Sequence, residues 1–161
     1  MVLDSRPPMA ASFRVGLIVV AALAAVAHAS ARPECTAGTH TSGGVTYRAF
    51  CGPAHATLHD GGKTYSFSGG SCMTSGSTFS INIGTITLPP GKPTSDYFGI
   101  TVVGAHAGTL TNQAVAWQQP HTNPGSLYRT TITFASGLKK GTFSGQNILG
   151  GGNGSGAFSC S

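Results

Sequence analysis

The sequence predicts an all-β protein: a single antiparallel β-sandwich-like or partly closed barrel domain with two disulfides. Three observations carry this. Beyond an apolar N-terminal run, no segment combines Ala, Leu, Glu and Lys as a solvent-facing helix requires. Short alternating runs of Thr, Ser, Val and Ile recur between glycines and prolines, the pattern of strands and turns. The 4 cysteines, an even number, all lie beyond the apolar run.

The N-terminus reads as a targeting segment. Arg6 and Arg14 precede the uncharged run Val15 to Ala27, and small residues follow. A positive flank, a short apolar stretch and a small-residue exit make a secretory signal peptide over residues 1–29. Ala27 and Ala29 place the cut before Ser30; Ala29 and Ala31 place it alternatively before Arg32. A spanning helix needs about 18 to 20 apolar residues, more than this run supplies, so no stable membrane anchor is expected after cleavage. Acylation of Cys35 is not expected either. Arg32, Pro33 and Glu34 stand where lipoprotein processing requires small or aliphatic side chains. The remaining chain, about 130 residues, is the length of one domain that buries roughly two thirds of its unfolded surface. Residues 30–54 read as an N-terminal extension and 55–161 as the β domain.

The strands follow in order. Val45, Tyr47 and Ala49 alternate with Thr46, Arg48 and Phe50 before Cys51. ATLHDGGKTYSFSG is a hairpin whose turn at Asp60, Gly61 and Gly62 uses the positive φ that glycine tolerates. In STFSINIG, residues 77–84, Phe79, Ile81 and Ile83 form one face of a half-buried strand. Ile86 and Leu88 extend it until Pro89, Pro90 and Pro93 stop the ladder. DYFGITVVG, residues 96–104, is apolar enough for a central strand. Gly108 to Asn112 and Ala114 to Gln118 read as two further strands, and QPHTNPG, residues 119–125, as a loop. LYRTTITFA, residues 127–135, places Tyr128, Thr130, Ile132 and Phe134 on one face. Thr142 to Leu149 and Ser155 to Cys160 complete the set, separated by a flexible GGGNGSG.

In an exported chain, Cys35, Cys51, Cys72 and Cys160 read as two disulfides with three possible connectivities. Their long, unequal spacing matches no zinc pattern. His55 and His59 share one face of a helix or a strand and are the weak metal candidates, with Asp60 as a third ligand. Their plainer role is to flank a surface turn. No GxSxG elbow occurs, and no carboxylate pair suggests glycoside hydrolysis. No catalytic residue and no cofactor is expected. The net charge of +5 is dispersed, with Lys139 and Lys140 as the basic pair, so nucleic acid is not an expected partner. Loose attraction to an anionic envelope polymer fits this balance better. Trp117, Tyr97 and Tyr128 are the candidate ligand contacts, since aromatic rings give large contact area at little entropic cost. Alternation puts such rings in the core by default. Trp117, beside Gln118 and Gln119, is expected to be the partly exposed one.

The succession DGGK (60–63), GGSC (69–72), FSINIG (79–84), LYRTTITFASG (127–137) and AFSCS (157–161) resembles the soluble domain of mycobacterial lipoprotein antigens of the LpqH type. The resemblance covers roughly residues 55–161. It implies a Cys72–Cys160 bridge in a β-rich domain, a Cys35–Cys51 bridge added in the extension, and an envelope or surface protein without known enzymatic chemistry. The acylated cysteine of that family has no counterpart here, so properties that depend on acyl chains do not transfer. The expected function is that of a secreted or envelope-associated, non-catalytic binding protein, its partner an envelope or extracellular polysaccharide, lipid or protein. The rivals are a secreted hydrolase or metal-dependent enzyme using His55 and His59, and a carrier of a small apolar ligand.

Overall fold

The computed structural model describes residues 35–89 and 93–161; the predicted signal peptide lies outside the described residues. The strands are β1 (Gly38–Ser42), β2 (Val45–Phe50), β3 (Ala54–Asp60), β4 (Lys63–Ser75) and β5 (Thr78–Thr87), followed by β6 (Tyr97–Val103), β7 (Gly108–Gln118), β8 (Gly125–Phe134), β9 (Lys140–Asn147) and β10 (Gly152–Ser159). A 3₁₀ turn, Ser136–Leu138, joins β8 to β9.

From β3 to β10 each strand pairs antiparallel with the next, and β10 pairs back onto β3 from His55↔Ser159 to His59↔Ser155. These strands therefore close into an eight-stranded up-and-down barrel. Closure leaves this ring without a free edge, the liability of an open antiparallel sheet. The β1–β2 hairpin is an added arm. Along one edge β5 pairs with β4 as far as Ile83 and then with β2 from Gly84 to Thr87. Gly84 makes this change of partner possible: it adopts φ +80, and a Cβ there would lie 2.2 Å from the Asp96 carbonyl oxygen.

An eight-stranded barrel is just wide enough for side chains to fill. Here Phe67, Phe79, Phe98, Phe134, Phe143 and Phe158 fill it with Ile81, Ile83, Ile100 and Ile132. Their rings pack at centroid separations from 4.9 Å (Phe79–Phe134) to 5.7 Å (Phe79–Phe158), the range favourable for aromatic pairs. Glycine makes the room. Gly156 stands opposite Phe143 and Gly141 opposite Phe158 across β9 and β10. A Cβ on Gly156 would meet the Phe143 ring at 2.5 Å, and one on Gly141 would meet Phe158 at 2.7 Å. Each phenylalanine thus lies over its neighbour's missing side chain.

Both disulfides have the pairing that the family resemblance implies. Cys35–Cys51 spans 16 residues and ties the arm to itself; Cys72–Cys160 spans 88 and ties β4 to the end of β10. The two bridges fit an oxidising compartment.

Several local expectations are corrected. Residues 108–118 form one bulged strand, β7, instead of two. β1 was not anticipated, and β10 begins inside the glycine run expected to be flexible. Most consequential is β8, where the register shifts between Tyr128 and Thr131 and Arg129 takes φ +49. That bulge puts Leu127, Thr130, Ile132 and Phe134 inside but turns Tyr128 out to 47 % exposure, whereas plain alternation had grouped it with them. Thr130 is fully buried, and its Oγ1 is the one buried side-chain polar atom without a hydrogen-bond partner among the described residues.

Candidate functional site

In an up-and-down barrel, alternate connections lie at the same end. The β3–β4 turn, the β7–β8 loop and the β9–β10 turn therefore share one rim, opposite the Cys72–Cys160 bridge. Asn147 pins two of them together: its Nδ2 donates to Asp60 Oδ2 at 2.7 Å, and its Oδ1 accepts from the Leu149 and Gly150 backbone N–H groups at 3.1 and 2.9 Å. The β7–β8 loop is held in turn, since the His121 N–H donates to the Pro93 carbonyl at 3.0 Å. At the base of the rim, the Thr87 N–H donates to Gln118 Oε1 at 3.3 Å.

Between these connections opens a mouth of about 580 Å³ lined by Tyr65, Trp117, Lys63, Gln119, Asn123 and Asn147, among others. Tyr65 is partly buried against the core, so the pocket floor is aromatic and its rim carries amides, a hydroxyl and one ammonium. Trp117 faces Gly125 across β7 and β8, and a Cβ on Gly125 would lie 2.1 Å from the indole. The glycine lets the ring lie flat against the start of β8. At 6 % exposure Trp117 is a core residue, correcting the expected partial exposure; alternation along β7 turns it inward with Val115, and only part of it meets the mouth.

The other candidate aromatics lie elsewhere. Tyr97 is half-buried on the outer wall under the arm, its ring centroid 5.9 Å from that of Phe50 and its hydroxyl donating to Asn82 Oδ1 at 2.8 Å. Burial pushes its phenol above the ordinary tyrosine value, with the nearby Arg48 guanidinium pulling the other way. Tyr128 is on the outside of β8. The three rings do not make a common surface.

His55 and His59 both point outward from β3, but four residues of extended chain separate them by roughly 13 Å, too far to share an ion. Asp60 belongs to the opposite face of β3, engaged with Asn147. No group of three or more His, Cys, Asp or Glu is placed to hold a metal among the described residues. His40 stacks on Tyr47 at 5.4 Å, His106 Nδ1 pairs with the Ala107 carbonyl oxygen, and His121 lies in the β7–β8 loop.

Sequence reasoning missed Lys63, Tyr65, Gln119, Asn123 and Asn147 as neighbours. The available signal was strand parity: once an even meander is assumed, DGGK, QPHTNPG and NILGG must meet at one end. The geometry defines a closed antiparallel barrel with an aromatic, polar-rimmed mouth. Comparison with protein-family models, curated proteins and solved structures finds no match to this chain.

Proposed function

We propose that the chain is an exported, non-catalytic binding protein of the cell envelope or extracellular space, and that its barrel mouth receives a sugar residue of a glycan. The carrying observation is the mouth itself, where Tyr65 and Trp117 stand beside Gln119, Asn123 and Lys63. A pyranose has an apolar C–H face and a hydroxyl edge, and such a floor and rim complement both. Export is supported by the signal-like N-terminus, by two disulfides and by the resemblance to lipoprotein antigens. The hydrolase reading loses its geometric basis with the separation of His55 from His59. The carrier reading requires space that six phenylalanine rings occupy.

The chain has a single tryptophan, so the site reports on itself. Fluorescence titration with neutral α-glucan, galactan, arabinan and mannan oligosaccharides should give a saturable emission change with at least one, abolished by Tyr65→Ala. A flat response to every sugar, or undiminished binding by the variant, would overturn the assignment.

A further inference from the structure

Between the paired ends Asn147 and Gly152, the β9–β10 turn runs Ile148, Leu149, Gly150 and Gly151. Its shape is set by other groups than the first two side chains. Asn147 Oδ1 accepts from the Leu149 and Gly150 N–H groups, the Gly151 N–H donates to the Asn147 carbonyl at 3.0 Å, and Gly151 supplies a φ of +66. Small polar residues ordinarily serve in such a turn. Here two branched aliphatic side chains do, Ile148 at 64 % and Leu149 at 75 % exposure. The fold gains no burial from either.

Their position is the informative part. Leu149 is itself in the lining of the mouth, together with Pro120 and Pro124 of the β7–β8 loop. The other exposed large apolar side chains, Met73, Val103 and Tyr128, are dispersed on β4, β6 and β8. Among the described residues, two such side chains adjoin in the chain only at this turn, and there they continue an aromatic floor. The mouth thus has a polar sector at Lys63, Gln119 and Asn123 and an apolar lip at Leu149, with Ile148 beside it in the chain.

We propose that the ligand of the mouth is amphiphilic: a sugar carrying an alkyl or acyl chain, its ring on Tyr65 and Trp117 and the first methylenes of its chain across Leu149 and Ile148. The inference deepens the glycan reading above and rests on it. A chain attached to a seated sugar cannot turn inward, because six phenylalanine rings occupy the barrel interior. It leaves over the rim. A second sugar leaving by the lip would meet two side chains without a hydrogen-bonding group, whereas an aliphatic chain finds a surface that takes its methylenes out of water. Each methylene so covered strengthens binding roughly fourfold. The filled core confines the contact to the part of the chain next to the sugar, and the remainder stays outside the protein.

The test is titration of the tryptophan emission with methyl and octyl glycosides of glucose, galactose, arabinose and mannose, the octyl compounds kept below their micelle-forming concentrations. The sugar that saturates the mouth should bind at least about tenfold more tightly as its octyl glycoside, the effect of some two covered methylenes. Ile148→Ser with Leu149→Ser should remove that gain and leave the methyl glycoside's affinity as in the parent; Tyr65→Ala should abolish binding of both. Equal affinity of the two glycosides, or an octyl gain that survives the double serine variant, would overturn this inference and leave the sugar reading standing. An octyl gain that is the same for every sugar and survives Tyr65→Ala would overturn it as adsorption to apolar surface. No response to any glycoside would overturn both readings. Flotation with phosphatidylcholine vesicles containing the dodecyl glycoside of the responding sugar separates the sources of such a ligand: co-flotation assigns a glycolipid displayed in a membrane, and an octyl gain without co-flotation assigns a freely dissolved acylated sugar.

Discussion

Replacing Cys72 and Cys160 together by alanine removes the bridge that joins β4 to the end of β10 across 88 residues. In the chain-entropy description, releasing a loop of that length raises unfolded-state entropy by about 15 cal/mol/K, a loss of about 4.6 kcal/mol at 25 °C. Unfolding entropy near 2.1 cal/mol/K per residue, over roughly 125 ordered residues, converts this to a melting-point drop of about 17 °C. The Cys35–Cys51 bridge spans only 16 residues and is confined to the arm. The same relation gives about 3 kcal/mol as its ceiling. Part of that is lost to the barrel only if arm and barrel unfold together. Differential scanning calorimetry of the two double variants separates the cases: Cys72→Ala/Cys160→Ala should melt well below Cys35→Ala/Cys51→Ala, which should stay nearer the parent. The reasoning fails if the order reverses, or if the long bridge is worth less than about 5 °C.

Three further outcomes are expected. Gly125→Ala forces a methyl into the indole of Trp117, which should cost about 1–3 kcal/mol and shift the tryptophan emission to the red; unchanged emission and denaturant midpoint would contradict the packing described. Thr130→Val removes the unpartnered buried hydroxyl while keeping the shape, so chemical denaturation should show stability equal to or up to about 1 kcal/mol above the parent, and a marked loss would reveal a bond that the hydroxyl makes. Because the folded Tyr97 phenol lies above its unfolded value, its contribution is fully present below about pH 10 and is lost as pH rises further. Alkaline absorbance titration should contain a late phenol component that vanishes in Tyr97→Phe, and that variant should lose less stability above pH 10.

The parts of the fold legible in the sequence are those set by neighbouring residues. Asp60-Gly61-Gly62 makes its hairpin, and Phe79, Ile81 and Ile83 face inward as their alternation requires. What is decided across the chain was not legible. The closing pair of β3 with β10 joins segments nearly the whole domain apart, and nothing local in either marks the other as its partner. The β8 bulge is equally hidden, since Tyr128 and Thr130 alternate in sequence, and only the left-handed Arg129 between them separates their faces. Burial of Trp117 follows from the glycine opposite it on another strand. The polar neighbours Gln118 and Gln119, read as signs of exposure, instead belong to a latch with Thr87 and to the rim.

The glycine-rich composition, read first as punctuation for turns, has a second meaning inside the barrel. On β9 and β10 the inward Gly141 and Gly156 stand opposite Phe158 and Phe143, so two thin strands hold two large rings where ordinary side chains would collide. An interior filled this way leaves little room for a ligand, and enlarging it means removing a ring at a cost of about 3–5 kcal/mol. The rim and the outer wall carry no such packing demand. The rim connections carry the larger polar groups, and the outward positions of β8, β9, β10 and β3 are free to be small. Inward glycines thus make room for the rings, while outward serines and threonines such as Thr57, Thr133, Thr142, Ser144 and Ser155 cover the wall.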